Sequence, residues 1–98
     1  MTEKRIIELY EKFCKELEGA DSYLHCAEKY GKLPDYESWA PKYLSMASEE
    51  LGHAGNLWNM MLHEIEKCEH QEMYDILKEM GAKAFSKMER KIKIHKSM

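Results

Sequence analysis

The sequence predicts an all-α fold of a single domain spanning residues 1–98, and three observations support this. Charged residues make up 34% of the chain and hydrophobic residues 44%, in a mix rich in Glu, Lys, Leu, Met and Ala that suits amphipathic helices. Apolar residues recur at helical spacing in three segments. Two prolines, five glycines and no alternating β-branched run leave little signal for strands. A core this small would gain from association with a second chain.

The first helix is predicted from about Glu3 to Tyr30, because its apolar positions keep a helical period over more than four turns. Those positions are Ile6, Leu9, Tyr10, Phe13, Leu17, Ala20, Leu24 and Ala27. Gly31 offers a C-cap, and Pro34 prevents simple continuation. The segment 31–35 is therefore the clearest turn, and it predicts an antiparallel hairpin with the second helix.

The second helix is predicted to begin between Asp35 and Pro41, with Ser38 as its N-cap, and to reach about Cys68. Its inward stripe is Tyr43, Ala47, Ala54, Leu57, Trp58, Met61 and Ile65. A third helix is predicted for residues 71–94, with an inward stripe of Met73, Leu77, Met80, Ala84, Met88 and Ile92. The break near residues 69–71 is weak, so one bent rod remains an alternative to two separate helices.

Charge and cysteine usage exclude several classes of function. The formal net charge is −3, and Lys and Arg are interspersed with Glu, which is not the pattern of a nucleic-acid-binding surface. The three cysteines have no Cys-x-x-Cys spacing, which argues against a disulfide framework and a structural zinc site. Neither an apolar signal segment nor a stretch of transmembrane length is present. We expect a cytoplasmic protein with no nucleic-acid or membrane partner.

Glu50 and His53 form the one Glu-x-x-His element of the chain. On a helix these two residues share a face, so both can bind the same metal ion. Four-helix-bundle di-metal proteins use two such elements and two further glutamates, so one chain carries at most half of that set. Fifteen glutamates and five histidines would supply roughly one such tetrapeptide by chance. Its surroundings therefore have to show whether Glu50 and His53 are metal ligands.

The context of Glu50 favours a metal site. At about 100° per residue, Glu50 falls inside the apolar stripe of the second helix, where a buried carboxylate needs a partner or a metal. In a hairpin that turns near residue 33, Glu16 is level with Glu50, and Glu18 lies within the register error. Glu16 lies about 60° from the centre of the first stripe and Glu18 more than about 100° away. We therefore prefer Glu16 as the inward ligand and keep Glu18 as a rim carboxylate.

Two glycines flank His53 and give a further indication. Gly52 and Gly55 each cost about 1 kcal/mol relative to alanine in a helix interior. Two such residues within one turn predict that another helix approaches the backbone closely at the height of the proposed site.

Two segments resemble a known family. Residues 48–54 are similar to the E-E-x-x-H-A segment of rubrerythrins and other ferritin-like proteins. Residues 15–23 resemble the first-helix ligand segment of that superfamily, in which a ligand Glu precedes a Tyr by seven residues, as Glu16 precedes Tyr23. The chain is most similar to the encapsulated ferritins, which carry a single Glu-x-x-His per short chain. The resemblance covers residues 15–62; the longer loop before the second helix and residues 93–98, which show no recognisable encapsulin-docking peptide, depart from it.

The resemblance implies a complete site and an activity. Glu16, Glu50 and His53 would be iron ligands, Tyr23 would lie beside them, and Glu18 would lie near a path for ions. Two chains would pair their hairpins into a ferritin-like four-helix bundle that holds a di-iron centre, with manganese as the alternative metal. The implied activity is oxidation of Fe(II) for storage or detoxification. The implied partners are a second copy, a higher homo-oligomer and an encapsulin shell, which would place the protein inside an encapsulin compartment.

Two other functions remain open. A rubrerythrin-like scavenging of peroxide is the first, although the chain lacks a Cys-x-x-Cys rubredoxin module to deliver electrons. A non-catalytic helical oligomerisation scaffold is the second. Outside the proposed site, we expect Glu64 to be a solvated carboxylate. Four other histidines are expected at the surface: His25, His63, His70 and His95.

Overall fold

A computed structural model describes residues 2–97, so Met1 and Met98, the two ends of the predicted domain, lie outside the described residues. Within this range the chain is all-helical, as predicted, and contains no strand. Its elements are α1 (Thr2–Gly31), α2 (Trp39–Glu66), a 3₁₀ turn (Gln71–Tyr74) and α3 (Asp75–Lys96). None of the helices between residues 2 and 97 is both long enough and apolar enough to cross a lipid bilayer.

Helices α1 and α2 form the predicted antiparallel hairpin. Arg5 near the start of α1 contacts Glu64 near the end of α2, and the ring of Tyr30 near the end of α1 packs on Trp39 at the start of α2. Most of the buried apolar residues of both helices face each other along this hairpin, because their stripes share the helical period. The register of the hairpin therefore follows from the apolar pattern.

The turn between α1 and α2 differs in detail from the prediction. Gly31 is still helical and has no positive φ, whereas Asp35 adopts the left-handed region with φ of 72°. Aspartate tolerates that region better than most non-glycine residues. Ser38 occupies the N-cap position, but its side chain makes no cap hydrogen bond. A backbone turn starts the helix instead, since the Trp39 N–H donates to the Tyr36 carbonyl at 2.9 Å.

Helix α3 is separate from α2 and runs back along one side of the hairpin, parallel to α1. At its start, Tyr74 is buried in the same apolar cluster as Ile6. Near its end, Lys91 Nζ lies 3.4 Å from Asp21 Oδ1. These contacts exclude the bent-rod alternative for α2 and α3, because a continued α2 would carry residues 75–96 away from α1.

The inward-facing residues of α3 agree with the prediction only in part. The methionines expected to face inward, Met73 and Met80, are exposed, as is Ala84. Met88 and Ile92 are buried as predicted, whereas Gly81 and partly buried Phe85, each one position after an expected inward residue, take the places of Met80 and Ala84. A Cβ atom at residue 81 would overlap the Trp58 ring, so glycine at this position lets the indole ring pack directly on the α3 backbone.

The molecule is elongated and leaves one side of the hairpin uncovered. Its dimensions are 56 × 20 × 14 Å, and its radius of gyration is 15.9 Å, whereas about 12.6 Å is expected for a compact domain of this length. Its accessible surface is 6852 Å², against about 5,800 Å² for a compact monomer of this mass. We call the uncovered side, away from α3, the open face. It carries Arg5, Glu16, Tyr23, Met46, Glu50, His53, Met60 and Glu64.

Glu64 is buried, contrary to the expectation of a solvated carboxylate. Arg5 Nη1 donates a hydrogen bond to its Oε1 at 3.1 Å, and Lys67 Nζ lies 3.5 Å from its Oε2. The hydrogen bond from Arg5 holds the pKa of the Glu64 carboxyl below its ordinary value, against the opposing effect of burial, and Lys67 adds to the lowering. Glu64 is therefore a charged anchor between the ends of α1 and α2.

This lowered pKa predicts acid-sensitive stability. The folded state keeps Glu64 ionised where the unfolded chain would be protonated, so its stabilisation is full above the ordinary value of 4.5 and is lost as pH falls through the folded value. On acidification, we expect the free energy of unfolding to fall more steeply in wild type than in Glu64→Gln or Arg5→Met. Urea unfolding across this pH range measures the slopes. Glu66→Gln, an exposed neighbour, should keep the wild-type slope, and equal slopes in all four proteins would contradict the prediction.

Candidate metal centre

Three side chains from two helices converge on the open face. They are Glu16 of α1 and Glu50 and His53 of α2. Each has one potential metal-ligand atom within 4.8 Å of those of the other two. His53 Nδ1 lies 3.6 Å from Glu16 Oε2 and 4.0 Å from Glu50 Oε1. No other group of this kind occurs among residues 2–97. Two carboxylate oxygens and one imidazole nitrogen are donors that iron and manganese accept.

Local structure explains why these three side chains meet. Glu50 and His53 are three residues apart in α2, so they project from the same face. The antiparallel hairpin brings Glu16 to the same height on α1. Glu18 is exposed and lies outside the group. The structure thus places together the three residues that the sequence preferred, while their role as metal ligands stays a prediction.

The three side chains are more exposed to solvent than we expected from the position of Glu50 in the apolar stripe of α2. The Glu50 side chain is 26% exposed rather than buried, and the His53 side chain is 59% exposed. Because α3 covers the other side of the hairpin, nothing within residues 2–97 encloses the carboxylates from the open face. The prediction of a buried carboxylate is therefore wrong for the single chain.

A glycine that sequence reasoning overlooked lies directly against Glu50. A Cβ atom at Gly19 would lie 3.2 Å from Glu50 Oε2, so the carboxylate rests close to the α1 backbone. A Cβ atom at Gly52 would have no neighbour within 4 Å, and a Cβ atom at Gly55 would make an ordinary contact with the Phe85 ring at 3.7 Å. The predicted close approach at Gly52 and Gly55 is therefore wrong within this chain. The available signal was a glycine inside α1, one turn after Glu16.

Glu16 influences the ionisation of Glu50. A hydrogen bond with Glu16 raises the pKa of the Glu50 carboxyl, and burial and the negative charges of Glu16 and Glu49 raise it further, while His53 acts in the opposite direction. Glu16 and Glu50 each have a carboxylate oxygen within 4.8 Å of the other. Two ionised carboxylates at this distance repel each other, and a shared proton relieves the repulsion. A bound cation would relieve the same repulsion, which makes the pair a suitable anionic half of a metal site.

Tyr23 takes part in an aromatic row rather than in the carboxylate group. Its ring stacks on Tyr43 with centroids 6.2 Å apart, and Tyr43 stacks on Tyr30 at 5.4 Å. Within the described range its hydroxyl makes no hydrogen bond to Glu16, Glu50 or His53. The role of Tyr23 beside a metal ion therefore stays a prediction.

Fold and site together define a small all-helical protein that carries one Glu-Glu-His group with the donor atoms of a metal site. No protein-family model, no curated protein and no solved structure matches the chain. The resemblance to ferritin-like proteins thus rests on the two short segments at residues 15–23 and 48–54, and membership of that superfamily stays a prediction.

The two glycines near the site predict different responses to alanine. Gly52→Ala should raise the free energy of unfolding by about 1 kcal/mol, because alanine favours the helix and the added methyl meets open space. Gly19→Ala should raise the free energy of unfolding clearly less, because the added methyl displaces the Glu50 carboxylate. Urea unfolding of both variants at neutral pH measures the difference. Equal gains would mean that Glu50 moves aside without cost.

Proposed function

We propose that this chain binds Fe(II) through Glu16, Glu50 and His53 and oxidises it. The observation that carries the proposal is the convergence of three donor atoms within 4.8 Å from two separate helices. The donor set suits the metal, since carboxylate oxygens and imidazole nitrogens bind iron and manganese and neither cysteine nor methionine is involved. The repulsion between the two carboxylates adds a reason for a cation to bind between them.

A second copy of the chain would complete the site. Three protein donors leave a first-row metal ion incompletely coordinated, and the donors are partly exposed on the open face. Exposed methionines on α2 lie on either side of the site along the same face, Met46 before it and Met60 after it. Two copies related by a two-fold axis through this face would bring together four carboxylates and two imidazoles, the ligand set of a di-iron centre. Their hairpins would then form a four-helix bundle.

The proposed reaction uses O₂ as the oxidant. Two Fe(II) ions each give one electron to O₂, which takes up two protons from water and leaves as hydrogen peroxide, and the iron leaves as Fe(III). Glu16 and Glu50 hold the ions next to each other, and their negative charges favour the more highly charged product. A proton competes with the metal for the Glu50 carboxylate, and the raised pKa of this group, which Glu16 causes first, strengthens that competition. Removal of reactive Fe(II) would serve storage or detoxification.

Iron binding and oxidation by point variants test the proposal. We expect Glu50→Ala, His53→Ala and Glu16→Ala to weaken Fe(II) binding by about tenfold or more, because each removes a donor atom. Anaerobic calorimetric titration measures the affinity, and the absorbance of Fe(III) after addition of O₂ measures the rate. Glu49→Ala, which changes the exposed neighbour of Glu50, is the matched control and should behave as wild type. Glu18→Ala should keep its affinity if Glu16 is the ligand of α1.

Other outcomes would favour the competing functions. If wild type binds no iron and both Glu50→Ala and His53→Ala are more stable, the chain is a helical scaffold. If hydrogen peroxide but not O₂ turns over the bound iron, the protein removes peroxide. If Glu18→Ala and not Glu16→Ala loses binding, the ligand of α1 has been misassigned.

A hydrodynamic measurement tests the shared site separately. Sedimentation velocity with and without Fe(II), under anaerobic conditions, should show a dimer of the 11.6 kDa chain when iron is bound. Met60→Glu, on the open face, should prevent the dimer because it places a charge in the proposed interface. Met73→Glu changes another exposed methionine, close to α3, and should leave the dimer intact. A protein that stays monomeric at every iron concentration would exclude the shared site.

A further inference from the structure

A second set of imidazole and carboxylate groups lies on the opposite side of α1, where α3 packs. His25 and Glu28 are three residues apart in α1, the same spacing that brings Glu50 and His53 to one face. His95 of α3 contacts Glu28, with its Nε2 2.9 Å from Glu28 Oε1. The His95 side chain is only 19% exposed, although the sequence predicted a surface position. Tertiary packing therefore creates this set, which no spacing along the chain reveals.

A cavity of about 150 Å³ lies between these side chains. Its lining includes Asp21, His25, Glu28, Lys91 and His95, which come from both α1 and α3. Asp21 Oδ2 lies 3.6 Å from His25 Nδ1, and Lys91 Nζ lies 3.4 Å from Asp21 Oδ1. Two histidines and two carboxylates thus surround one small space. Lys91 pairs with Asp21 and not with Glu28, the carboxylate that contacts His95.

We propose that His25, Glu28 and His95 form a zinc site that clamps the end of α3 onto α1. Two imidazoles and one carboxylate, with a water molecule as the fourth ligand, match the donors and the tetrahedral coordination of zinc. The side chains do not converge as closely as Glu16, Glu50 and His53 do, so binding requires a rotation of His25. That rotation is available, because the His25 side chain is 70% exposed.

Asp21 has a supporting role in this site. A carboxylate that accepts a hydrogen bond from one imidazole nitrogen orients the ring and leaves the other nitrogen for the metal. Asp21 can orient His25 through Nδ1 in this way and leave Nε2 for the ion once the side chain has rotated. Lys91 neutralises Asp21 rather than Glu28, which leaves the Glu28 carboxylate to His95 and to the ion.

A zinc titration in a protein without the open-face site tests the proposal. In a Glu50→Ala/His53→Ala background, calorimetry should detect one Zn(II) per chain, and thermal unfolding should shift to higher temperature when zinc is added. His25→Ala in this background should weaken binding by about tenfold or more, because it removes a ligand without disturbing the core. His63→Ala, which removes an exposed histidine of α2, is the matched control and should leave the affinity unchanged. His95→Ala should also lose zinc, with a less stable apo protein because His95 packs against α1.

The outcomes are distinct from those of the iron experiment, because the background lacks two of its three donors. Absence of zinc binding in the double variant would overturn the proposal. Equal zinc affinity before and after His25→Ala would also overturn it. Because the His25 side chain is exposed, the expected loss of binding in this variant would not be due to misfolding.

Discussion

The contact between Trp58 and Gly81 is the packing constraint on which the arrangement of this molecule depends. Because residue 81 has no Cβ, the indole ring of α2 lies directly against the backbone of α3. The ring also packs on Phe13 of α1, with centroids 5.0 Å apart, so a single side chain joins all three helices. This contact sets the rotation of α3 and the side of the hairpin that α3 covers. The opposite side, with its carboxylates, is left open.

One-sided coverage explains both the shape of the molecule and the state of its acidic groups. A three-helix chain that covered both faces would be thicker and would bury Glu16 and Glu50 within a low-dielectric core, at a high cost for two like charges. On the open face these carboxylates keep part of their hydration, and their mutual repulsion remains available for neutralisation by a proton or by a cation.

The two imidazole–carboxylate groups of the molecule differ in a way that reflects their positions. On the open face, Glu16, Glu50 and His53 already converge within one chain, because two neighbouring helices in a fixed register supply them. Between α1 and α3, His95 is held by Glu28, whereas His25 still contacts Asp21. The first arrangement is partly exposed to solvent, and the second lies where two helices pack.

The sequence by itself determined the helical class, the limits of α1 and α2 to within a few residues, the hairpin and the level at which Glu16 meets Glu50. These features follow from local periodicity, from the turn around Pro34 and from the constant rise of a helix, all of which are properties of neighbouring residues. Only the tertiary structure decided which residues in the first half of α3 face inward, the partial burial of His95, the burial of Glu64, and the importance of Gly19 and Gly81. Each of these depends on the shape of a surface that is formed by residues distant in sequence, and the apolar pattern of α3 was ambiguous because methionines occur on both of its sides.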